Sequence, residues 1–266
     1  MTANSDLIVS YPDFFVTEFR EDSLWVKLSG NFFHNFISFD SKNFLHDFFK
    51  RIAVEPQIKS VVIHSAFHES GRDEYMRFFL LESPERHLGH LGFSSAMDRY
   101  ELHRFCNIVD QTIQDIVSMN KMVIHICSGD VLSVFMNISL ACDYRIVSSG
   151  TVFHNVFQEI GMLPTGGGAF FLSKMVGASK AKKLLLQQRI TSQEAFDNGI
   201  ADQMVSPYDL ERAAMGVVRK YSQIPNQTLF GVKRLVNFSL NDLKNYLETE
   251  TKEIIKIGLR EDFNDQ

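Results

Sequence analysis

Only three cysteines occur in the sequence, Cys106, Cys127 and Cys142. They are too scattered for a disulfide framework and form no C-x-x-C pair, so buried structural thiols are expected rather than metal or redox sites. Basic residues are in no excess: 27 Lys and Arg against 32 Asp and Glu give a net charge of −5, which argues against DNA or RNA as a partner. No apolar run approaches the roughly 18 residues of a membrane span, and residues 1–6 lack the basic start of a signal peptide. The expectation is a soluble, cytoplasmic protein with no membrane contact. His87, His90 and His103 have no ligand spacing with a carboxylate or cysteine, so no metal is expected. Repeats and low-complexity tracts are absent.

Apolar side chains are plentiful. Hydrophobic residues make up 45% of the 266 positions, enough to fill the core of one α/β domain with at most a small appended element. The 24 phenylalanines, with pairs such as Phe14-Phe15, Phe48-Phe49 and Phe170-Phe171, concentrate apolar area for a core, a subunit contact or a substrate cage. Residues 14–20 and 23–28 read as strands joined by an acidic turn, with Leu24, Val26 and Leu28 alternating against Trp25 and Lys27. A helix starting at Asp40 or Ser41 places Phe44, Leu45, Phe48, Phe49 and Ile52 on one face. A strand over 60–64 comes next.

Glycines and Pro84 break any period over 67–97, which reads as a mobile loop with short helical pieces. Beyond it the pattern predicts a helix over 96–119, strands over 122–126 and 140–147, and a helix over 169–175 after the turn Thr165-Gly166-Gly167-Gly168. Thr191-Ser192-Gln193-Glu194 fits a capping box, and residues 209–223, 226–237 and 240–259 read as helices. Alternating helix and apolar strand favours a largely parallel sheet covered by helices.

Four ordered motifs carry a family resemblance. Lys121-Met122-Val123-Ile124-His125-Ile126-Cys127-Ser128-Gly129 resembles the crotonase pattern K-P-V-I-A-A-V-N-G, and Leu140-Ala141-Cys142-Asp143-Tyr144-Arg145-Ile146-Val147 resembles L-A-C-D-x-x-I-A. Residues 160–168 resemble its G-x-x-P-x-x-G-G turn, and Ile190-Thr191-Ser192-Gln193-Glu194-Ala195 with Asn198-Gly199-Ile200-Ala201 its I-S-A-x-E-A…G-L-V signature. The chain is thereby similar to the crotonase, or enoyl-CoA hydratase/isomerase, superfamily. The resemblance implies an α/β fold of the ClpP/crotonase-like type: a spiral of ββα units over 1–205 and a helical trimerisation region over 206–266. It also implies a homotrimer or hexamer and a site for an acyl thioester of coenzyme A or acyl-carrier protein, with no permanently bound cofactor. In such a site two backbone N–H groups hold the thioester oxygen as it gains enolate charge.

Within that register the chain departs from the hydratase pattern. The glycine run that supplies the second oxyanion donor is replaced by Ser133-Val134-Phe135; the Val134 N–H can still donate at a helix N-terminus, while the side chains narrow the space. The two hydratase glutamates align with Asn137, which cannot act as a base near neutral pH, and Phe157, which has no proton to exchange. Glu159 lies two residues beyond that position, and Thr165 replaces the nucleophilic aspartate of the family's dehalogenases. His154 is the best remaining titratable candidate, as an acid/base or as a structural histidine. Asp130, His125 and Asp143 are weaker ones.

The first oxyanion donor is expected near Gly71-Arg72-Asp73-Glu74-Tyr75, with the Arg72 N–H nearest and Tyr75 either in the pocket or packed beneath a lid. Lys233 matches a lysine that approaches the coenzyme A phosphates, or is an exposed helix charge. Two functions are compatible with these residues as they stand, and a third, residual hydratase or isomerase activity, would need an unaligned acid such as Glu159 or Glu74 to enter the site. One is a lyase or isomerase that stabilises an enolate without a glutamate pair, by decarboxylation, isomerisation or C–C cleavage. The other is a non-catalytic crotonase-fold binding or assembly module.

Overall fold

The computed structural model describes residues 10–11, 15–28, 39–67 and 99–258. Strands β2 (Phe15–Arg20) and β3 (Ser23–Leu28) form an antiparallel hairpin with β1 (Ser10–Tyr11) at its edge. From β3 onward the pairing is parallel through β4 (Ser60–Phe67), β5 (Met122–Leu132), β6 (Tyr144–Ser148) and β9 (Gln203–Val205). Parallel neighbours require crossovers. Helices α1 (Phe39–Val54) and α2 (Arg99–Ser118) lie on the first two of these connections.

Strand β5 serves two sets of partners. Its first half, Ile124 to Cys127, pairs with β6, while its end, Asp130 to Leu132, pairs with β7 (Val152–His154), which in turn pairs antiparallel with β8 (Arg189–Thr191). Gly129 sits between the two halves with φ of 80°, a backbone state that costs a residue with a Cβ about 1–2 kcal/mol. The strand then runs without a loop into α3 (Ser133–Leu140).

Side-chain alternation supplies both faces of the sheet. Val61, Ile63, Val123 and Cys127 join the larger core with residues of α1 and α2. Val62, Ile124, Ile126 and Ile146 point the other way and pack, with Trp25, against Leu210, Ala214, Val217 and Val218 of α7 (Leu210–Ser222). Burying each such aliphatic side chain contributes about 1.5–3 kcal/mol. Helices α4 (Gly168–Val176), α5 (Ala178–Leu186) and α6 (Ser192–Asp197) precede β9, and α7, α8 (Asn226–Val236) and α9 (Leu240–Gly258) end the described chain. The architecture is the α/β spiral with a helical C-terminal region that the motifs imply.

Three sequence expectations need revision. The strand assigned to 140–147 begins at Tyr144, because Ala141 N and Cys142 N still bond to Ile138 O and Ser139 O and prolong the helical turn. The strand assigned to 122–126 continues to Leu132, past Gly129. Helix α5 and the three-residue strands β7, β8 and β9 were not assigned as elements, since three residues carry no readable period. The loop expected over 67–97 lies outside the described residues, except Phe67 at the end of β4.

One buried ion pair ties the C-terminal helices to the sheet. Asp143 Oδ2 accepts from Val123 N at 2.8 Å and from Lys233 Nζ at 2.6 Å, with Lys233 side-chain exposure at 8%. Burial nevertheless pushes the Asp143 carboxyl upward, with Lys233 opposing it. Lys233→Met should cost about 3–5 kcal/mol in urea unfolding by leaving that carboxylate unpaired, and the added Asp143→Leu should recover much of it.

Candidate functional site

The first turn of α3 has no side-chain cap at its N-terminus. A helix leaves its first N–H groups without intrahelical acceptors, and the N-cap here is Leu132, which offers no side-chain oxygen. Ser133, Val134 and Phe135 are all buried, so the side chains enter the core while the N–H groups face the helix start. Phe135 also walls a cavity of about 50 Å³ beneath the sheet, lined chiefly by Phe15, Leu45, Phe48 and Ile63 and, at one side, by Ser65 and His125.

One turn along, Asn137 is fully buried, and its Nδ2 donates to Thr165 O at 2.8 Å. Its amide occupies the space a side chain at Gly168 would need: a Cβ there would stand 2.5 Å from Asn137 Oδ1. Asn137 therefore clamps α3 to the turn over 165–168. Phe157, 4% exposed, packs into the larger core from the short 3-10 turn Val156–Gln158. Neither position can supply a proton.

The turn has a second anchor that sequence reasoning missed. Gly166 and Gly167 have φ of 93° and 71°, and both N–H groups donate to Glu250 Oε1, at 2.6 and 3.1 Å. Glu250 comes from α9 and is 7% exposed. Burial pushes its carboxyl up to about 7, against the bonds from Gly167, Tyr246 and Gly166 that favour the charged form. Its other oxygen, Oε2, has no hydrogen-bond partner among the described residues. The signal was present: Leu243, Leu247 and Ile254 form the buried stripe of α9, and Glu250 stands in that stripe where an aliphatic residue would normally sit.

The other candidates are spread out. His154, on β7 beside Leu132, bonds through Nε2 to Asp130 Oδ1 at 2.6 Å, and the Asp130 side chain is 64% exposed. This pair lies near the start of α3, at the surface. His125 is buried, shares a 2.9 Å bond between Nε2 and Ser65 Oγ, and is pushed down to about 3 by burial, then by His64 and Arg145, so it is neutral. Lys233 is neither an exposed charge nor turned to a ligand: its ammonium contacts Asp143 Oδ2, Lys121 O and Ile116 O. Its three N–H bonds are thus made inside the protein. Arg72, Glu74, Tyr75, His87 and His90 lie outside the described residues. Among the described residues no cluster of three metal-ligating side chains occurs, and no helix is long and apolar enough to cross a membrane.

Solved structures place this architecture in the crotonase-fold class. An enoyl-CoA hydratase from Bacillus halodurans superposes with a TM-score of 0.75 at 20% identity, over 92% of this chain and 95% of that one. DspI from Pseudomonas aeruginosa gives 0.72 at 17% identity, over 95% and 96%. A model of the enoyl-CoA hydratase/isomerase family matches residues 96–263, which takes in the turn, α3 and α9, and the chain belongs to that family. It is similar to a probable enoyl-CoA hydratase, EchA17, from Mycobacterium avium, 27% identical over 68% of this chain and 72% of the relative. A trans-2-decenoyl-[acyl-carrier-protein] isomerase from Streptococcus mutans is 25% identical over 53% of this chain and 54% of its own length.

The weakened acidity of Glu250 has a consequence for stability. A carboxyl whose folded value is about 7 keeps its proton while the unfolded chain, at 4.5, gives its proton up, so native stability falls as pH rises through that window. The full loss, on the order of 3 kcal/mol, is reached above the folded value. Glu250→Gln retains an oxygen for both glycine N–H groups, and urea unfolding across this window should show the slope flattened.

Proposed function

We propose that the protein acts on an acyl thioester, carried by coenzyme A or acyl-carrier protein, by holding the enolate oxygen on backbone N–H groups, without glutamate-pair hydration. The first turn of α3, where no N-cap side chain meets the Val134 N–H, carries this reading. The Arg72 N–H is the proposed second donor. Asn137 and Phe157 support the rest, since a clamped amide and a buried ring cannot move protons. His154, oriented by Asp130, is the proposed titratable group at the rim. Isomerisation is favoured over decarboxylation, because one relative is named as an isomerase of an acyl-carrier-protein thioester.

Assembly as a homotrimer or hexamer through the helical region over 206–266 belongs to the same proposal, as does a cytoplasmic location. The assembly is supported by α8 and the residues after it, which leave Leu235, Val236 and Phe238 about three-quarters or more exposed. Leu235→Glu should shift the protein to monomers in light scattering; an unchanged mass would remove this face from the interface.

Thermal unfolding with acyl-CoA tests the substrate class, since ligand at 100 times Kd stabilises by about 2.7 kcal/mol. Crotonyl-CoA should bind without being hydrated. Val134→Pro removes one N–H from a helical first turn, where proline is tolerated, and should lower turnover by about 10²–10³ while the unfolding midpoint is monitored. If no thioester binds at millimolar concentration, the non-catalytic binding module becomes the better account.

A further inference from the structure

Enolate chemistry that does not start by losing carbon dioxide needs a group to take the proton from the carbon next to the thioester. Both family positions for such a group are filled by side chains that cannot do so. The remaining described candidates are mostly committed. Asp143 is held by Val123 N and Lys233, Asp110 accepts from Thr251, His125 is bound to Ser65 in its neutral form, and His154 is bonded to Asp130 at the surface. Glu250 differs: the Gly166 and Gly167 N–H groups fix Oε1, the Tyr246 hydroxyl also meets the carboxyl, and Oε2 makes no hydrogen bond of full geometry among the described residues.

Its position also fits. Glu250 holds Gly166, whose neighbour Thr165 accepts from Asn137, and a Cβ on Gly166 would lie 3.5 Å from Asn137 Cβ. Asn137 stands one helical turn after Val134, so the carboxylate reaches the same turn that borders the vacated glutamate position. Three buried polar atoms around this turn lack hydrogen-bond partners among the described residues: Asn137 Oδ1, Thr165 Oγ1 and Glu250 Oε2. Buried polar atoms left unpaired are uncommon and call for an explanation, a catalytic role among them.

We propose that Glu250 is the proton-exchanging group of this site, brought in from the C-terminal helix in place of the glutamates missing at 137 and 157. The proposal rests on the thioester reading of the site. For a 3-enoyl thioester, Oε2 takes a proton from C2 and the C–H electron pair forms the enolate, whose oxygen receives the Val134 N–H bond. The carboxylic acid then returns the proton to C4, and the double bond moves from C3–C4 to C2–C3. No oxidant, reductant or co-reactant is consumed. An acidity near neutral suits a group that must both take and return a proton. The titratable groups around it are Tyr246 on its own helix and Asp110 and Cys106 on α2; Tyr246 and Cys106 are both pushed upward, chiefly by burial, and stay neutral.

The test uses the full chain with butanoyl-CoA in D2O, following exchange of the C2 protons by NMR and binding by calorimetry, alongside isomerisation of a 3-enoyl-CoA. Glu250→Gln keeps the acceptor for Gly166 and Gly167, so a purely structural Glu250 would leave exchange nearly unchanged. The expected result is unchanged Kd with exchange and isomerisation reduced by about 10²–10⁴. Wild-type exchange should rise with pH through about 7 and the variant should not follow it. Glu159→Gln should behave as wild type. Exchange by Glu250→Gln within about threefold of wild type, or wild type that binds thioester without exchanging, overturns the proposal while leaving thioester binding intact. Wild type that binds no thioester overturns the underlying reading and this proposal together.

Discussion

Two inward-facing N–H groups, at Gly166 and Gly167, set a constraint that the surrounding structure satisfies. With positive φ at both residues the turn presents consecutive donors to a dry interior, and leaving them unpaired would cost about 1–3 kcal/mol each. A carboxylate from α9 meets both. The same turn offers its Thr165 carbonyl to Asn137 and its bare Gly168 Cα to the Asn137 amide, so α3, the turn and α9 are fixed by one set of polar contacts. The uncapped start of α3 is held in place by that set.

Much of this was legible in the sequence. The motif register placed Asp143 at the end of a strand motif, and in the structure it stands just before β6 and accepts from Val123 N. Alternation in Leu24 to Leu28 anticipated two faces: Leu24 and Val26 join the larger core, while Trp25 joins the residues packed on α7. The rest was hidden for separate physical reasons. Glu250 reads as one more charge on an amphipathic helix until the buried stripe of Leu243, Leu247 and Ile254 is seen to include its position. Lys233 carries a long flexible side chain, and spacing alone does not say whether it turns outward to phosphate or inward to Asp143. The three-residue strands exist through their partners on β5, β6 and one another, so nothing local announces them.

The charges of the molecule divide into two kinds. On one face of the sheet Arg20 lies over the Trp25 ring at 4.2 Å and pairs with Glu18 and Glu211, a network partly open to solvent and so weak per pair. Asp143 with Lys233, and Glu250 with its glycines, are shielded instead, and their energetics are set by desolvation. Asp143 and Glu250 thus stand at two of the points where the C-terminal helices meet the rest of the chain.

The bond between Glu250 and Gly166 joins residues 84 positions apart in the chain. During synthesis from the N-terminus, the turn over 165–168 is made long before α9 exists, and its two donors have no carboxylate to meet. The spiral can collapse around its apolar strands in that interval, since their pairing with one another is complete by β9. The polar interior cannot close until the final described helix arrives. Maturation of the site is therefore a late, long-range docking step, separable in time from formation of the fold that surrounds it.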